Sequence, residues 1–332
     1  LTDQFTLIGK SRDQGCIPSN QETNFPIQID GAGVTEVVGV LDLSSRERLR
    51  RFVFRNVEFL DAFRMDFATS LGVVVSGCSF RSGFTARNLV VQGSMSFVDS
   101  VVSGVSDFDN AHVFGDLTLE RLKTLPGVRV DKVQLQEGEE VDGNISAVGL
   151  RVEGRMLLSG RISGYLDLKE GRFERSVSLN GAEIEGHVNL FSCQIGGNLD
   201  LCNTKLSRTV GQGTKAKNYF PLDATRIKVS GSIYAGGCET AWARFHGATI
   251  GGVFEVAYDE DFPDGVFFIA GKDNNKDALS LANSSVGRGV IIRNMVLSER
   301  AGKVSFSNAE MDGNVVLTDC QLIGVDSDNQ FS

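Results

Sequence analysis

The sequence has little proline, histidine or tryptophan, and it has no long hydrophobic run. Its 332 residues include 5 prolines, 3 histidines and 1 tryptophan. No apolar stretch approaches the roughly 18 residues that a membrane-spanning helix requires, so we expect no membrane insertion. Neither an HExxH spacing nor a GxSxG elbow accompanies the few histidines, so zinc chemistry and a nucleophilic triad have no support. We therefore expect neither a metal nor a cofactor.

Dense basic segments are also scarce. The chain carries 33 Lys+Arg against 42 Asp+Glu, which gives a net charge of -9. The one basic run, RERLRR at 46–51, is more typical of a solvated corner than of a phosphate-binding tract. We therefore expect no nucleic-acid partner. An acidic mimic of duplex nucleic acid is a further alternative, although the net charge is small for this length.

Glycine is abundant, with 38 residues, and an eleven-residue unit repeats along the chain. The stretch 162–205 divides into ISGYLDLKEGR, FERSVSLNGAE, IEGHVNLFSCQ and IGGNLDLCNTK. When the first residue of each unit is position 1, positions 5 and 7 are apolar and positions 4, 6 and 8 are largely polar. This alternation predicts a strand with one buried face. Glycine at position 3 and a small residue at position 10 predict tight corners.

Short strands joined by tight corners at a fixed period predict an all-β fold, a single-stranded parallel β-helix, or β-solenoid. One unit is too short to enclose a core, so we predict about twelve coils of 22 residues, each made of two units. The solenoid occupies residues 37–332, and residues 1–36 form an irregular N-terminal cap. The final LIGVDSDNQFS starts another unit and stops. That last coil is frayed, paired with a second chain in a homo-oligomer, or cut from a longer chain.

The units IGGNLDLCNTK and ISGYLDLKEGR resemble those of bacterial parallel β-solenoid repeat proteins, in the manner of pentapeptide-repeat proteins and bactofilins. The resemblance covers about 285 residues. It departs from the first group because eleven is not a multiple of five, and from the second because bactofilins are shorter and wind differently. The resemblance implies a scaffold or interaction role more often than an enzyme, and it assigns no functional residue.

The cysteines follow the repeat. Position 10, the small inward site, holds Cys78, Cys193, Cys238 and Cys320, whereas Cys202 is at position 8 and Cys16 lies in the cap. This placement predicts small buried core residues rather than redox or metal ligands. Unpaired cysteines favour a reducing compartment such as the cytoplasm, but they do not define the location.

Carboxylates at position 6 raise the alternative of a carbohydrate-active enzyme. Asp167 is expected beside Asn189 in the next coil, while Asp200 is expected on another sheet. This arrangement separates the acid and base that glycoside hydrolysis requires. We therefore favour a protein that is not an enzyme, and we keep the enzyme and a receptor-binding adhesin as alternatives.

The richest outward stretch is TAWARFHGAT at 240–249. There the repeat predicts that Trp242, Arg244 and His246 project outward in a row. Phe267 is expected on the same sheet one coil away, so that an aromatic platform with a neighbouring cation forms. The same pattern is equally compatible with an edge or loop that covers these side chains.

Two irregular segments flank this stretch. Residues 207–219 are either a protruding loop or a degenerate unit. The acidic corner YDEDFPD at 258–264 adds Asp259 and Asp261 to the candidate binding residues, without the spacing of a calcium loop. The leading hypothesis is therefore a non-enzymatic β-solenoid scaffold that binds a protein partner or a glycan on an exposed face.

Overall fold

The computed structural model describes residues 27–37, 41–45, 51–128, 140–141, 143–206, 221–256, 267–269, 278–297 and 304–322. The regular secondary structure in these ranges consists of β-strands alone. Within the same ranges, no helix has the length and apolar character needed to cross a bilayer. The predicted all-β class is confirmed.

Sheet B is a column of eleven two-residue strands that pair in parallel from coil to coil. Its strands are β2 (Leu41–Asp42), β4 (Phe63–Arg64), β8 (Phe84–Thr85), β12 (Ser106–Asp107), β17 (Ile145–Ser146), β20 (Leu166–Asp167), β24 (Val188–Asn189), β28 (Leu222–Asp223), β32 (Ala243–Arg244), β36 (Leu279–Ser280) and β40 (Val304–Ser305).

Sheet C is a second parallel column of ten two-residue strands. Its strands are β5 (Thr69–Ser70), β9 (Val90–Val91), β13 (His112–Val113), β18 (Arg151–Val152), β21 (Arg172–Phe173), β25 (Gln194–Ile195), β29 (Lys228–Val229), β33 (Thr249–Ile250), β37 (Ser285–Val286) and β41 (Glu310–Met311).

Sheet A has twenty strands, which form two adjacent columns joined where long strands run through the corner between them. Its strands are β1 (Ile27–Val37), β3 (Phe52–Phe59), β6 (Val73–Ser76), β7 (Ser79–Phe80), β10 (Met95–Val98), β11 (Val101–Ser103), β14 (Leu117–Leu125), β19 (Met156–Ile162), β22 (Val177–Ser178), β23 (Ala182–Ile184), β26 (Leu199–Asp200), β27 (Lys205–Leu206), β30 (Ile233–Tyr234), β31 (Glu239–Thr240), β34 (Val253–Val256), β35 (Phe267–Ile269), β38 (Gly289–Arg293), β39 (Met295–Leu297), β42 (Asn314–Thr318) and β43 (Gln321–Leu322).

A coil passes through sheet B, sheet C and then the two columns of sheet A before it returns to sheet B. Residues stacked in adjacent regular coils are 21 or 22 apart in sequence, as for Arg151 with Arg172 and for the hydrogen bond from the Asn198 amide to the Ser176 hydroxyl. Two eleven-residue units therefore make one coil, which confirms the predicted β-solenoid.

The described part contains about ten coils rather than the predicted twelve, since sheet B has eleven strands and sheet C has ten. Three coils exceed 22 residues by more than ten. Hydrogen-bonded residues in adjacent coils are 39 apart between Asp109 and Val148, 34 apart between Asn198 and Ser232, and 36 apart between Ala248 and Ser284. Extra residues in these coils look like further units in the sequence but add no height to the rod.

The first of these long coils shows how this miscount arises. There β15 (Gly127–Val128) pairs antiparallel with β16 (Glu140–Val141), outside the parallel stacking. Sheet C resumes only at Arg151, which lies in register with His112. The eleven-residue period is therefore interrupted at Gly127–Val128, and residues 129–139 lie outside the described residues.

The core forms where the repeat predicts it, at positions 1, 5, 7 and 10. In one unit these positions are Ile184, Val188, Leu190 and Cys193, all fully buried. Burial of an aliphatic side chain of this size contributes about 1.5–3 kcal/mol relative to exposure. Stacking the same positions coil upon coil makes one continuous apolar core along the rod.

One corner of each unit depends on a left-handed backbone at position 9. In the described part of the chain, all fifteen non-glycine residues with positive φ lie at this position, and seven of them are asparagine. Asparagine and glycine tolerate this conformation better than other residues. By contrast, Gly93 at position 3 has no positive φ, and a Cβ there would overlap the Leu71 carbonyl oxygen. Position 3 therefore requires glycine for close approach to the next coil rather than for its backbone angles.

The predicted boundary between cap and solenoid falls in a paired strand. Residues Ile27–Val37 form β1, which pairs in parallel with β3. Residues 27–36 therefore extend sheet A, whereas residues 1–26 of the predicted cap lie outside the described residues.

Candidate functional site

Trp242 is buried, so the prediction that it projects into solvent is wrong. Its side chain is 1% exposed, and the neighbouring Ala241 and Ala243 are buried as well. Strand periodicity indicates which way a side chain leaves the backbone, but it does not indicate whether another part of the chain covers that side chain. A buried indole offers no ring face to a ligand arriving from solvent.

The backbone of Phe267 lies in a different sheet from that of Trp242. Strand β35, which begins at Phe267, pairs with β31 and β39 in sheet A. Trp242 precedes β32, which pairs with β36 in sheet B. The two residues therefore do not share a sheet, because the coil between them is longer than the repeat assumes. Asp259, Asp261 and the segment 207–219 lie outside the described residues.

Arg244 and His246 are half-buried on sheet B and at its corner. The side-chain amide of Asn283 lies 3.2 Å from His246 Nε2 and donates a hydrogen bond to it. Asn308 Nδ2 donates in turn to Asn283 Oδ1 over 3.3 Å. His246 thus belongs to a hydrogen-bonded row along the corner, and a binding role for Arg244 and His246 stays a prediction.

The position-6 carboxylates accept backbone hydrogen bonds at the corners of the coils. Asp167 stacks beside Asn189 in sheet B and Asp200 lies in sheet A, as predicted. The Oδ1 atom of Asp167 accepts a hydrogen bond from the Lys169 amide at 3.0 Å, and Asp200 Oδ1 does the same for the Cys202 amide at 3.0 Å. Such Asx turns lead the chain into the left-handed residue at position 9. These carboxylates have a structural role, which gives the glycosidase alternative no support.

The cysteines at position 10 behave as core residues. Cys78, Cys193 and Cys238 are buried, and Cys193 Sγ lies 2.8 Å from the Leu168 carbonyl oxygen. Burial raises the pKa of the Cys193 and Cys238 thiols to about 12. Because the thiolate is the reactive form, both are inert at neutral pH. The prediction is confirmed for these three cysteines, whereas Cys320 is only partly buried.

Sheet C carries an outward column of mostly basic residues that the sequence reasoning did not single out. We name it the cation column, and it holds one side chain per coil at position 11. Backbone pairing places in succession His112, Arg151, Arg172, Gln194 and Lys228. Paired strands of adjacent coils lie about 4.8 Å apart, so Arg151 and Arg172 are direct neighbours.

The two arginines have no carboxylate partner among the described residues. Both side chains are exposed. Glu153, which lies closest in sequence to Arg151, instead contacts His112, with 3.1 Å between Oε1 and Nε2. Like charges directly opposite one another on neighbouring strands destabilise a sheet. No ion pair among the described residues neutralises these two guanidinium groups.

A groove of about 660 Å³ runs beside the cation column. One wall consists of the column residues His112, Arg151, Arg172 and Gln194, and the other of the position-9 residues Asn110, Gly149, Glu170 and Ser192. Gly149 has no side chain and opens the second wall. Glu170, the carboxylate of that wall, lies 3.4 Å from the Lys169 ammonium. Guanidinium, amide and hydroxyl donors thus face a space that suits an anionic group.

The signal for this column was present in the sequence but needed the correct register. Arg151 and Arg172 are in adjacent coils, yet His112 and Arg151 are separated by the long coil. A strict eleven-residue count therefore places the three residues out of line. Position 11 also directly precedes an inward residue, so on its own it looks like any polar strand position.

No group of three or more His, Cys, Asp or Glu side chains in the described part of the chain is placed to hold a metal ion. Comparison with protein-family models, curated proteins and solved structures found no match to this chain. The fold therefore defines a parallel β-solenoid of repeat character, and the function has to be argued from the site alone.

Proposed function

We propose that this protein is a non-enzymatic β-solenoid scaffold that recognises an anionic partner through the groove beside the cation column. The observation that carries the proposal is the direct stacking of Arg151 on Arg172 without a carboxylate partner. Two guanidinium groups in adjacent coils can bind one carboxylate or sulfate in bidentate fashion. A partner of this kind relieves a repulsion that the free protein retains.

The general character of the chain supports a recognition role. A solenoid presents its outward residues in straight columns, so that contacts repeat along the rod. The likeness of its units to those of pentapeptide-repeat proteins and bactofilins favours a scaffold over an enzyme. The groove is open and polar, unlike the enclosed, largely apolar pocket typical of small-molecule sites.

The test is a binding measurement with two anionic probes, a ten-residue polyglutamate peptide and a heparin dodecasaccharide. We expect the double variant Arg151→Glu/Arg172→Glu to weaken binding by about 10–100-fold, the loss of two charge-assisted contacts. Fluorescence anisotropy at low and at physiological salt measures this change. The peptide and the saccharide distinguish a protein partner from a glycan.

Arg288→Glu/Arg293→Glu is the matched control. Both arginines are exposed in and beside β38 of sheet A, and the change in charge is the same. If the control weakens binding as much as the sheet C variant does, binding follows net charge and the proposed site is wrong. If neither probe binds the native protein, the proposal fails.

A further inference from the structure

The first coils of the same face are apolar rather than cationic. Among the described residues, the exposed large hydrophobic side chains are Phe67, Leu71, Phe114, Val315 and Leu317. The first three, which are 63%, 53% and 44% exposed, lie on or beside sheet C. We name them the apolar patch. An apolar patch directly beside a cation column is typical of a surface that binds protein.

Along the rod, Phe67 lies in the same column as one wall of the groove, and Leu71 and Phe114 lie beside the other. Phe67 is at position 9, two coils before Asn110 in the same wall, as the backbone bonds from Phe67 to Arg87 and from Asn88 to Asp109 show. Phe114 directly follows β13. The centroid of its ring lies 4.1 Å from that of the His112 ring, and the angle between the two ring planes is 24°. His112 therefore joins the apolar patch to the cation column.

Phe67 occupies a backbone conformation that disfavours it. Its φ is 59°, whereas the same position in many other coils holds asparagine or glycine. A bulky aromatic residue with left-handed φ is an outlier, and such strain is found where function requires the side chain. The ring is 63% exposed, so its burial in the free protein offsets little of the strain. Phe67 lies two coils from the groove, in the column of residues that forms one of its walls.

We infer that the partner is a protein segment that lies extended along the rod, with apolar side chains on the apolar patch and carboxylates over Arg151 and Arg172. The inference rests on the proposed function and narrows its ligand to a peptide. From the coil of Phe67 to that of Arg172 there are four coil steps, or about 19 Å. An extended chain covers this distance with about six residues. A sulfated glycan supplies the anions but no aliphatic side chains for Leu71 and Phe114.

The experiment compares two synthetic ten-residue peptides on the intact protein. The first alternates leucine with serine in one half and glutamate with serine in the other, and the second alternates glutamate with serine throughout. We expect the mixed peptide to bind more tightly. Phe67→Asn and Phe114→Ser should each weaken the mixed peptide about tenfold, as for an aromatic anchor, and leave the acidic peptide unchanged. Leu317→Ser, on an exposed apolar residue of sheet A, should change neither.

The outcomes separate the inference from the proposed function. Equal binding of both peptides, with no effect of Phe67→Asn or Phe114→Ser, overturns the apolar contact and leaves the anion site standing. Binding of the heparin dodecasaccharide alone also overturns the inference, in favour of a glycan. Weaker binding of both peptides by Arg151→Glu/Arg172→Glu supports the anion site. Weaker binding of the mixed peptide alone by Phe67→Asn and Phe114→Ser supports the apolar contact as well. Thermal unfolding of each variant shows whether it is folded.

Discussion

Two outward columns of the same rod differ in how their charged residues are ordered along it. On sheet A, backbone pairing stacks Lys123, Arg161, Glu183, Lys205 and Glu239, so that opposite charges alternate from Arg161 onward. Arg161 also contacts Glu185, with 2.6 Å between its Nη2 and Oε1. On sheet C, Arg151 stacks directly on Arg172. From Arg161 onward the sheet A column pairs opposite charges, whereas Arg151 and Arg172 of the sheet C column have no such partner.

The same coil spacing therefore accommodates both matched and unmatched charges. Both columns have the same spacing and sit on the same kind of core, so geometry does not distinguish them. The groove along the alternating column is also smaller, about 180 Å³ against about 660 Å³. Charges that already pair within a face interact only weakly with a charged partner. Cations without an ion pair beside an open groove remain able to bind an anion.

The largest effect is expected from the backbone that supports the alternating column. Gly160 has a φ of 114°, and a Cβ there would overlap the Leu122 carbonyl oxygen. Gly160→Ala should lower the free energy of unfolding by about 2–3 kcal/mol, because strain and overlap add. Denaturant unfolding measures the loss. Gly181→Ala is the control, since it shares a positive φ but its Cβ meets nothing within 4 Å. Equal losses would contradict the role of overlap.

The second effect concerns the apolar patch beside the cation column. Phe67→Asn should raise the free energy of unfolding by about 1 kcal/mol, because asparagine adopts the left-handed conformation more readily. Thermal unfolding detects a higher midpoint. Phe114→Ser, which removes a similar exposed ring without positive φ, should not stabilise the fold. A lower midpoint for Phe67→Asn would show that the ring stabilises the free protein.

A third pair of changes exchanges the charge patterns of the two columns. Glu183→Arg places a cation between Arg161 and Lys205 and should destabilise the fold, whereas Arg172→Glu places an anion beside Arg151 and should stabilise it. Each change should amount to about 0.2–1 kcal/mol at low salt. Urea unfolding at two salt concentrations checks the signs and their screening. The same sign for both substitutions would remove the distinction between the columns.

The smallest effect is expected from His187 on sheet B, which belongs to neither column. Burial lowers the pKa of His187, while Asp167 and Asp223 raise it and oppose that shift. A folded pKa below the unfolded value of about 6.5 means that the unfolded chain binds more protons, so stability is full above that pH and falls as the pH drops below it. Burial raises the pKa of Asp167, which acts in the opposite direction nearer pH 4.

His187→Gln should flatten the change in unfolding free energy between pH 7 and pH 5.5. Urea unfolding at the two pH values measures it. An unchanged slope in the variant would mean that another group titrates in this range. The ring of His187 stacks on Tyr165 at 5.1 Å, so the variant also loses some packing at both pH values.

The core and the coil could be predicted from the sequence because they depend on local period. Apolar residues at positions 5 and 7 and small residues at position 10 specify an inward face, and Cys193 and Leu190 lie where that rule places them. The period also predicted correctly that Asp167 and Asn189 stack while Asp200 lies elsewhere. These relations connect residues within one or two units, so the period of the repeat is enough to predict them.

The candidate site could not be predicted in the same way. Trp242 and Phe267 have outward positions by period, yet one is buried and the other lies in a different sheet. The neighbourhood of Arg151 and His112 depends on a coil of irregular length. Position 9 was also overlooked, because an asparagine there looks like any polar corner residue.

The sequence alone was enough to predict a parallel β-solenoid and the inward positions of its repeating unit, since hydrophobic period and residue size act locally. The tertiary structure was needed to show which outward side chains remain exposed, which stand side by side and which arginines have no ion pair. Those properties depend on how residues 20 to 40 apart are stacked, and long coils change that register without changing the repeat. The cation column and the apolar patch exist only once the coils are stacked.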